Sequence, residues 1–101
     1  MTTKVIFRKF NDGEIIALFP TLLGTNDPYT CSSYMHTGQH GSATPDIVSV
    51  TSLATPDEYA GLLSELISIG YDDLVIRKKF LYADYLKRKF LMHKTMIRAL
   101  S

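Results

Sequence analysis

The stretch CSSYMHTGQH, residues 31–40, brings a thiol, two serine hydroxyls, a phenol and two imidazoles into ten positions. Those residue types could do three kinds of chemistry. Cys31, His36 and His40 are transition-metal ligands, and three protein ligands plus a water make a catalytic zinc site. Cys31 with an imidazole base could act as a nucleophile if the two come within hydrogen-bond reach. Ser32 or Ser33, with His36 or His40 and Asp46, supplies the residue types of a hydrolase triad but lacks the Gly-x-Ser-x-Gly turn that presents such a serine. Spacing argues against all three. Side chains alternate across a strand, so Cys31 points away from His36, and Gly38 and Gly41 mark a turn rather than a helix that would align His36 with His40. Cys31, His36 and His40 are therefore weak metal candidates, and neither a cofactor nor a catalytic residue is expected. What remains is recognition. Tyr34, His36, Gln39 and His40, with Asp46 as a charged neighbour, suit a small polar ligand or a peptide on a loop held by a sheet.

A second set of residues is cationic. RKKF at 77–80 and KRKF at 87–90 repeat a basic triplet followed by phenylalanine, with Lys94 and Arg98 beyond. Arg77, Lys78, Lys79, Lys87, Arg88, Lys89, Lys94 and Arg98 could neutralise phosphates while Tyr82 or Tyr85 stacks on bases, an electrostatic mode of nucleic-acid binding. The same residues also fit a solvated helix face. On that reading Lys87, Arg88 and Lys89 separate two apolar seams, and Lys94 and Arg98 complement the helix C-terminus. One seam runs Tyr82, Leu86, Phe90, His93, Ile97 and Leu100, and its neighbour runs Leu81, Tyr85, Met92, Met96 and Ala99. A helix so striped packs on its own domain, pairs with a second copy or docks another protein. There is no glycine-rich phosphate loop, and Asp72 and Asp73 read as turn residues.

Positioning these groups falls to a small α+β domain. KVIFRKF, NDG and EIIALF read as a hairpin whose second strand is apolar on both faces, as in a central strand covered on two sides. Pro20, Gly24, Asn26 and Pro28 then mark a loop. TCSSYMH is the next strand, with Cys31 and Met35 inward and Tyr34 and His36 on the more accessible face. TGQHGSATP reads as a turn-rich connection and DIVSVTSL as a strand. Thr55, Pro56 and Glu58 are a cap, a first-turn proline and the reciprocal capping residue of a helix carrying Tyr59, Leu62, Leu63, Leu66 and Ile67 toward the sheet. Gly70 closes that helix, Leu74 to Arg77 form the last strand, and a helix covers roughly 81–99. The expected fold is a mainly antiparallel sheet of four or five strands with one packed helix and a C-terminal amphipathic helix. That helix, 81–101, extends a single domain spanning 1–101.

Composition bounds the function. At 101 residues with 46% hydrophobic content the chain can bury one core. Its single cysteine rules out an internal disulfide framework and points to a cytoplasmic setting. No apolar run is long enough for a signal peptide or a membrane span. Residues 1–70 hold three Lys/Arg against seven acids, whereas residues 71–101 hold eight against three, an acidic body with a basic end. The segments IFRKFNDGEIIALFP, CSSYMHTGQHG and ATPDEYAGLLSELISIGY together resemble a group of small bacterial and mobile-element proteins, over about residues 4–76. The resemblance implies a bacterial, plasmid or phage source and carries no activity to transfer. The expected function is a non-enzymatic accessory protein that self-associates, as a homodimer, or docks a protein partner. A nucleic-acid binder and a small metal- or cysteine-dependent enzyme are the alternatives.

Overall fold

The computed structural model describes residues 2–36 and 38–100, without the side chains of Met96, Arg98, Ala99 and Leu100. In chain order the elements are β1 (Thr3–Phe10), β2 (Ile15–Leu23), β3 (Cys31–Met35), β4 (Gln39–Ala43), a 3-10 helix (Pro45–Val50), β5 (Thr51–Leu53), α1 (Pro56–Ser68), β6 (Leu74–Arg77) and α2 (Tyr82–Leu100). Strands run in the order β4-β3-β2-β1-β5, and β6 also pairs with β1. On its outer edge β1 is shared: residues 8–10 meet β5 antiparallel and residues 3–6 meet β6 parallel. The sheet is thus mainly antiparallel, with six strands.

The β1–β2 hairpin follows from its turn chemistry. Gly13 takes φ 92°, a conformation open to glycine, and the Asp12 carboxylate accepts from the Glu14 N–H at 3.0 Å. β2 is apolar on both faces because both are covered. On one side Val5, Phe7, Ile15, Ala17, Phe19 and Tyr34 pack against Leu62 and Leu66 of α1. On the other, Ile6, Ile16, Leu18 and Cys31 are covered by Phe10, Met35, Ala43, Ile47 and Phe80. α2 lies on this second side along β2, since Lys4, on the same face as Ile6, holds Asp84 at 2.9 Å.

α1 begins as its sequence predicts. Thr55 accepts from the Glu58 N–H and the Glu58 side chain accepts from the Thr55 N–H, a complete capping box with Pro56 in the first turn. Ile67, assigned to the packing stripe, is instead 55% exposed, because only Leu62 and Leu66 reach the sheet fully. Three other segments depart from expectation. β2 runs through Pro20 to Leu23, with an irregularity between Phe19 and Leu23 where the proline withholds an N–H from the ladder. At Gly24, just beyond it, an added Cβ would fall 2.4 Å from the Cys31 carbonyl oxygen, so the close approach of this loop requires glycine. Residues 39–43, read as connection, form β4. Residues 46–50, the first part of the stretch read as strand, belong to the 3-10 helix, in which Ser49 Oγ donates to the Asp46 carbonyl and Thr51 Oγ1 to the Ile47 carbonyl, each at 2.7 Å.

Candidate functional site

The polar cluster divides across the sheet. Tyr34 and His40 are cross-strand partners on the α1 side, their rings edge to face with centroids 4.7 Å apart. His36, beyond the end of β3, places Nδ1 3.2 Å from Glu65 Oε1 of α1. Glu65 also takes the Tyr34 hydroxyl's hydrogen bond, which raises that phenol's pKa with burial adding to it. Tyr34 is 1% exposed, where strand parity alone had put it on the accessible face; with α1 covering that face, it is core. Tyr34 and His40, with Ile69, Gly70 and Tyr71 just beyond α1, line a cleft of about 470 Å³. The dimensions suit a small ligand.

The other two members of the expected surface lie elsewhere. Gln39 pairs with Met35, whose side chain belongs to the opposite core, so Gln39 faces away from His40. Asp46 lies in the first turn of the 3-10 helix and accepts from the Tyr29 hydroxyl at 3.3 Å. Glu65, which joins Tyr34 to His36, is the residue that spacing missed. It is 29 positions from His36, and its place on α1, one turn from the buried Leu62, was the only signal for it.

The catalytic alternatives do not assemble. Cys31 is fully buried on the α2 side, and desolvation pushes its thiol up to about 11, so it is neither ionised at neutral pH nor within the histidine cluster. Ser33 is buried on that same side, opposite Tyr34 and His40; Ser32 shares their face, but Asp46, the acid of the serine reading, is bonded by the Tyr29 hydroxyl instead. Among the described residues no group of three or more His, Cys, Asp or Glu is placed to hold a metal ion.

α2 gives the clearest functional geometry. Its inward face carries two charges, Asp84 and Arg88, each 1% exposed, flanked by the half-buried Tyr85, Leu91 and Met92. Asp84 accepts from Lys4 Nζ at 2.9 Å and from the Leu81 N–H at 2.8 Å. Arg88 donates from Nη1 to the Pro20 carbonyl at 2.6 Å and from Nε to the Pro28 carbonyl at 2.9 Å. The expected cationic triplet is therefore broken. Arg88 is a buried clamp on the β2–β3 connection and takes no part in a solvated basic face, whereas Arg77, Lys78, Lys79, Lys87, Lys89 and Lys94 are exposed. The seam assigned to an interface is turned outward: Tyr82 is 74% exposed, Leu86 45%, Phe90 60% and Ile97 54%, with His93 exposed between them. Arg98 and Leu100 have side chains outside the described residues. No helix among the described residues is long and apolar enough to cross a membrane. No known protein family, curated protein or solved structure matches the chain.

Proposed function

We propose that this chain is a non-enzymatic interaction protein that self-associates through α2, its outward seam packing against that of a second copy. The observation that carries this reading is the orientation of α2, with Asp84 and Arg88 buried beside the half-buried Tyr85, Leu91 and Met92 while the seam of Tyr82, Leu86, Phe90 and Ile97 stands in solvent. A helix held to its own domain by polar clamps leaves its apolar stripe available. Tyr82, Leu86, Phe90, His93 and Ile97 follow steps of four, four, three and four and fall within an arc of about 80° at 100° per residue. That narrow seam is what another helix covers, and two copies related by a two-fold axis offer each other the same surface. The 19-residue helix is about 28 Å long, enough for several turns of contact.

Charge qualifies the pairing. Lys87 and Lys94 flank the seam on one side and Lys89 on the other, while the helix's only acid, Asp84, is buried. Two such helices bring lysines together at the rim, a repulsion that salt screens. Light scattering over a range of concentrations tests the reading. A dimer that strengthens with added salt, and that becomes a folded monomer on Leu86→Glu with Phe90→Glu, is the expected result. A wild-type chain that stays monomeric at high concentration and high salt sinks it, and leaves an acidic-rimmed protein partner as the occupant of the seam.

A further inference from the structure

A second cavity, of about 380 Å³, lies on the α2 side between the 3-10 helix and the segment joining β6 to α2. Its charged lining is entirely basic: Arg8, Lys78 and Lys79. Arg8 is 8% exposed, yet no carboxylate lies within salt-bridge distance of it among the described residues. Its Nε donates to Thr51 Oγ1 at 3.0 Å, and Nη2 donates to the Val48 and Thr51 carbonyls at 2.9 and 2.7 Å. These bonds fix the guanidinium plane and cap the end of the 3-10 helix. They leave Nη1 without a hydrogen-bond partner among the described residues, in a group that lines the cavity. The remaining wall is apolar, from Ile6, Val48 and Phe80. Asp46, the acid closest in sequence to that wall, is taken by Tyr29.

A buried cation without a counter-charge is costly, and here it is joined by two exposed lysines at the same opening. Burial lowers the Arg8 pKa, in keeping with a charge that has no compensating anion. A rigid guanidinium with one free N–H edge and two mobile ammonium groups match a phosphate, and the apolar wall matches a hydrophobic body attached to it.

We infer that this cavity binds a small phosphate monoester carrying an apolar or aromatic group, its phosphate between Arg8, Lys78 and Lys79 and its body against Ile6, Val48 and Phe80. The test is titration of the full chain with phenyl phosphate, followed by calorimetry and by amide chemical shifts. The expected result is one-to-one binding, with shifts at Val48, Thr51 and Lys78 to Phe80, and weaker binding of inorganic phosphate. Replacing both exposed lysines, Lys78→Ala with Lys79→Ala, should lower affinity about tenfold, the scale of a lost charge-assisted contact, with the thermal transition unchanged. Equal affinity in that variant, equal affinity for inorganic phosphate, or shifts spread over α2 instead of the cavity each overturn the assignment. So does a 5′-phosphorylated oligonucleotide that binds far more tightly than its own terminal nucleotide, which would make the cavity one contact of a nucleic-acid surface.

Discussion

Lys87 and Arg88 are neighbours in one basic triplet and have opposite surroundings. Lys87 is exposed, its ammonium 5.9 Å from the Phe90 ring centre, whereas Arg88 is sealed against β2 and satisfies two proline carbonyls. The preference for arginine at 88 is geometric: separate guanidinium nitrogens reach Pro20 and Pro28, a fork that a single ammonium does not reproduce. Removing it leaves two carbonyls short of a donor in a buried setting. Arg88→Met is expected to destabilise the fold by about 2–4 kcal/mol, while Lys87→Met changes stability by about 0.5 kcal/mol or less. Urea unfolding of the two variants measures the contrast, and equal effects would show that Arg88 is not the clamp. Tyr34 makes a parallel point within the histidine cluster. Its phenol is core by burial, and Glu65 of α1 holds both it and His36, so the polar groups of Tyr34 and His36 serve first to tie the β3–β4 hairpin to α1.

α1 shows how one element couples local and long-range electrostatics. Glu58 closes the capping box with the Thr55 N–H and forms an ion pair with Lys9 of β1. The hydrogen bond from Lys9, then that from the Thr55 backbone, hold its carboxyl at about 2, against an ordinary 4.5. Between those values the unfolded chain takes up a proton that the folded chain refuses. The stabilisation is therefore fully present above pH 4.5 and is lost as pH falls toward 2. Thermal unfolding followed from pH 6 downward should show a loss of stability in that window that Glu58→Gln reduces, and a profile unchanged by the substitution would refute the coupling. The pair is partly exposed, so added salt should weaken the effect. The 3-10 helix illustrates the opposite balance. Pro45 has no N–H to satisfy, the Ser49 and Thr51 hydroxyls bond its carbonyls locally, and Arg8 of β1 adds a long-range bond, to Val48; β5 keeps only three residues of the expected strand.

At the scale of the whole molecule, α2 is both a cover and a surface. It packs along β2 on the face opposite α1 and joins that face through Lys4, Pro20 and Pro28. A chain ending at Phe80 loses Asp84 and Arg88 together and uncovers β2. It is expected to lose its cooperative thermal transition and near-ultraviolet circular dichroism, whereas the outward Leu86→Glu and Phe90→Glu changes leave both intact. A truncated chain that unfolds cooperatively would mean that α2 is an appendage rather than a layer of the fold. The sequence by itself determined the capped start of α1, the NDG hairpin, the two-sided apolar character of β2 and the spacing of the α2 seam, because each is written in neighbouring residues or in a fixed period. Only the tertiary structure decided β4, whose residues have little strand propensity and gain their ladder from β3. It alone also brought Glu65 to His36, separated Gln39 and Asp46 from the cleft, and turned α2 so that Asp84 and Arg88 face inward. The physical reason is common to these cases. Periodicity says which residues share a face, but which face is buried depends on the acceptors and charges that distant segments present to it, here the carbonyls of Pro20 and Pro28 and the ammonium of Lys4.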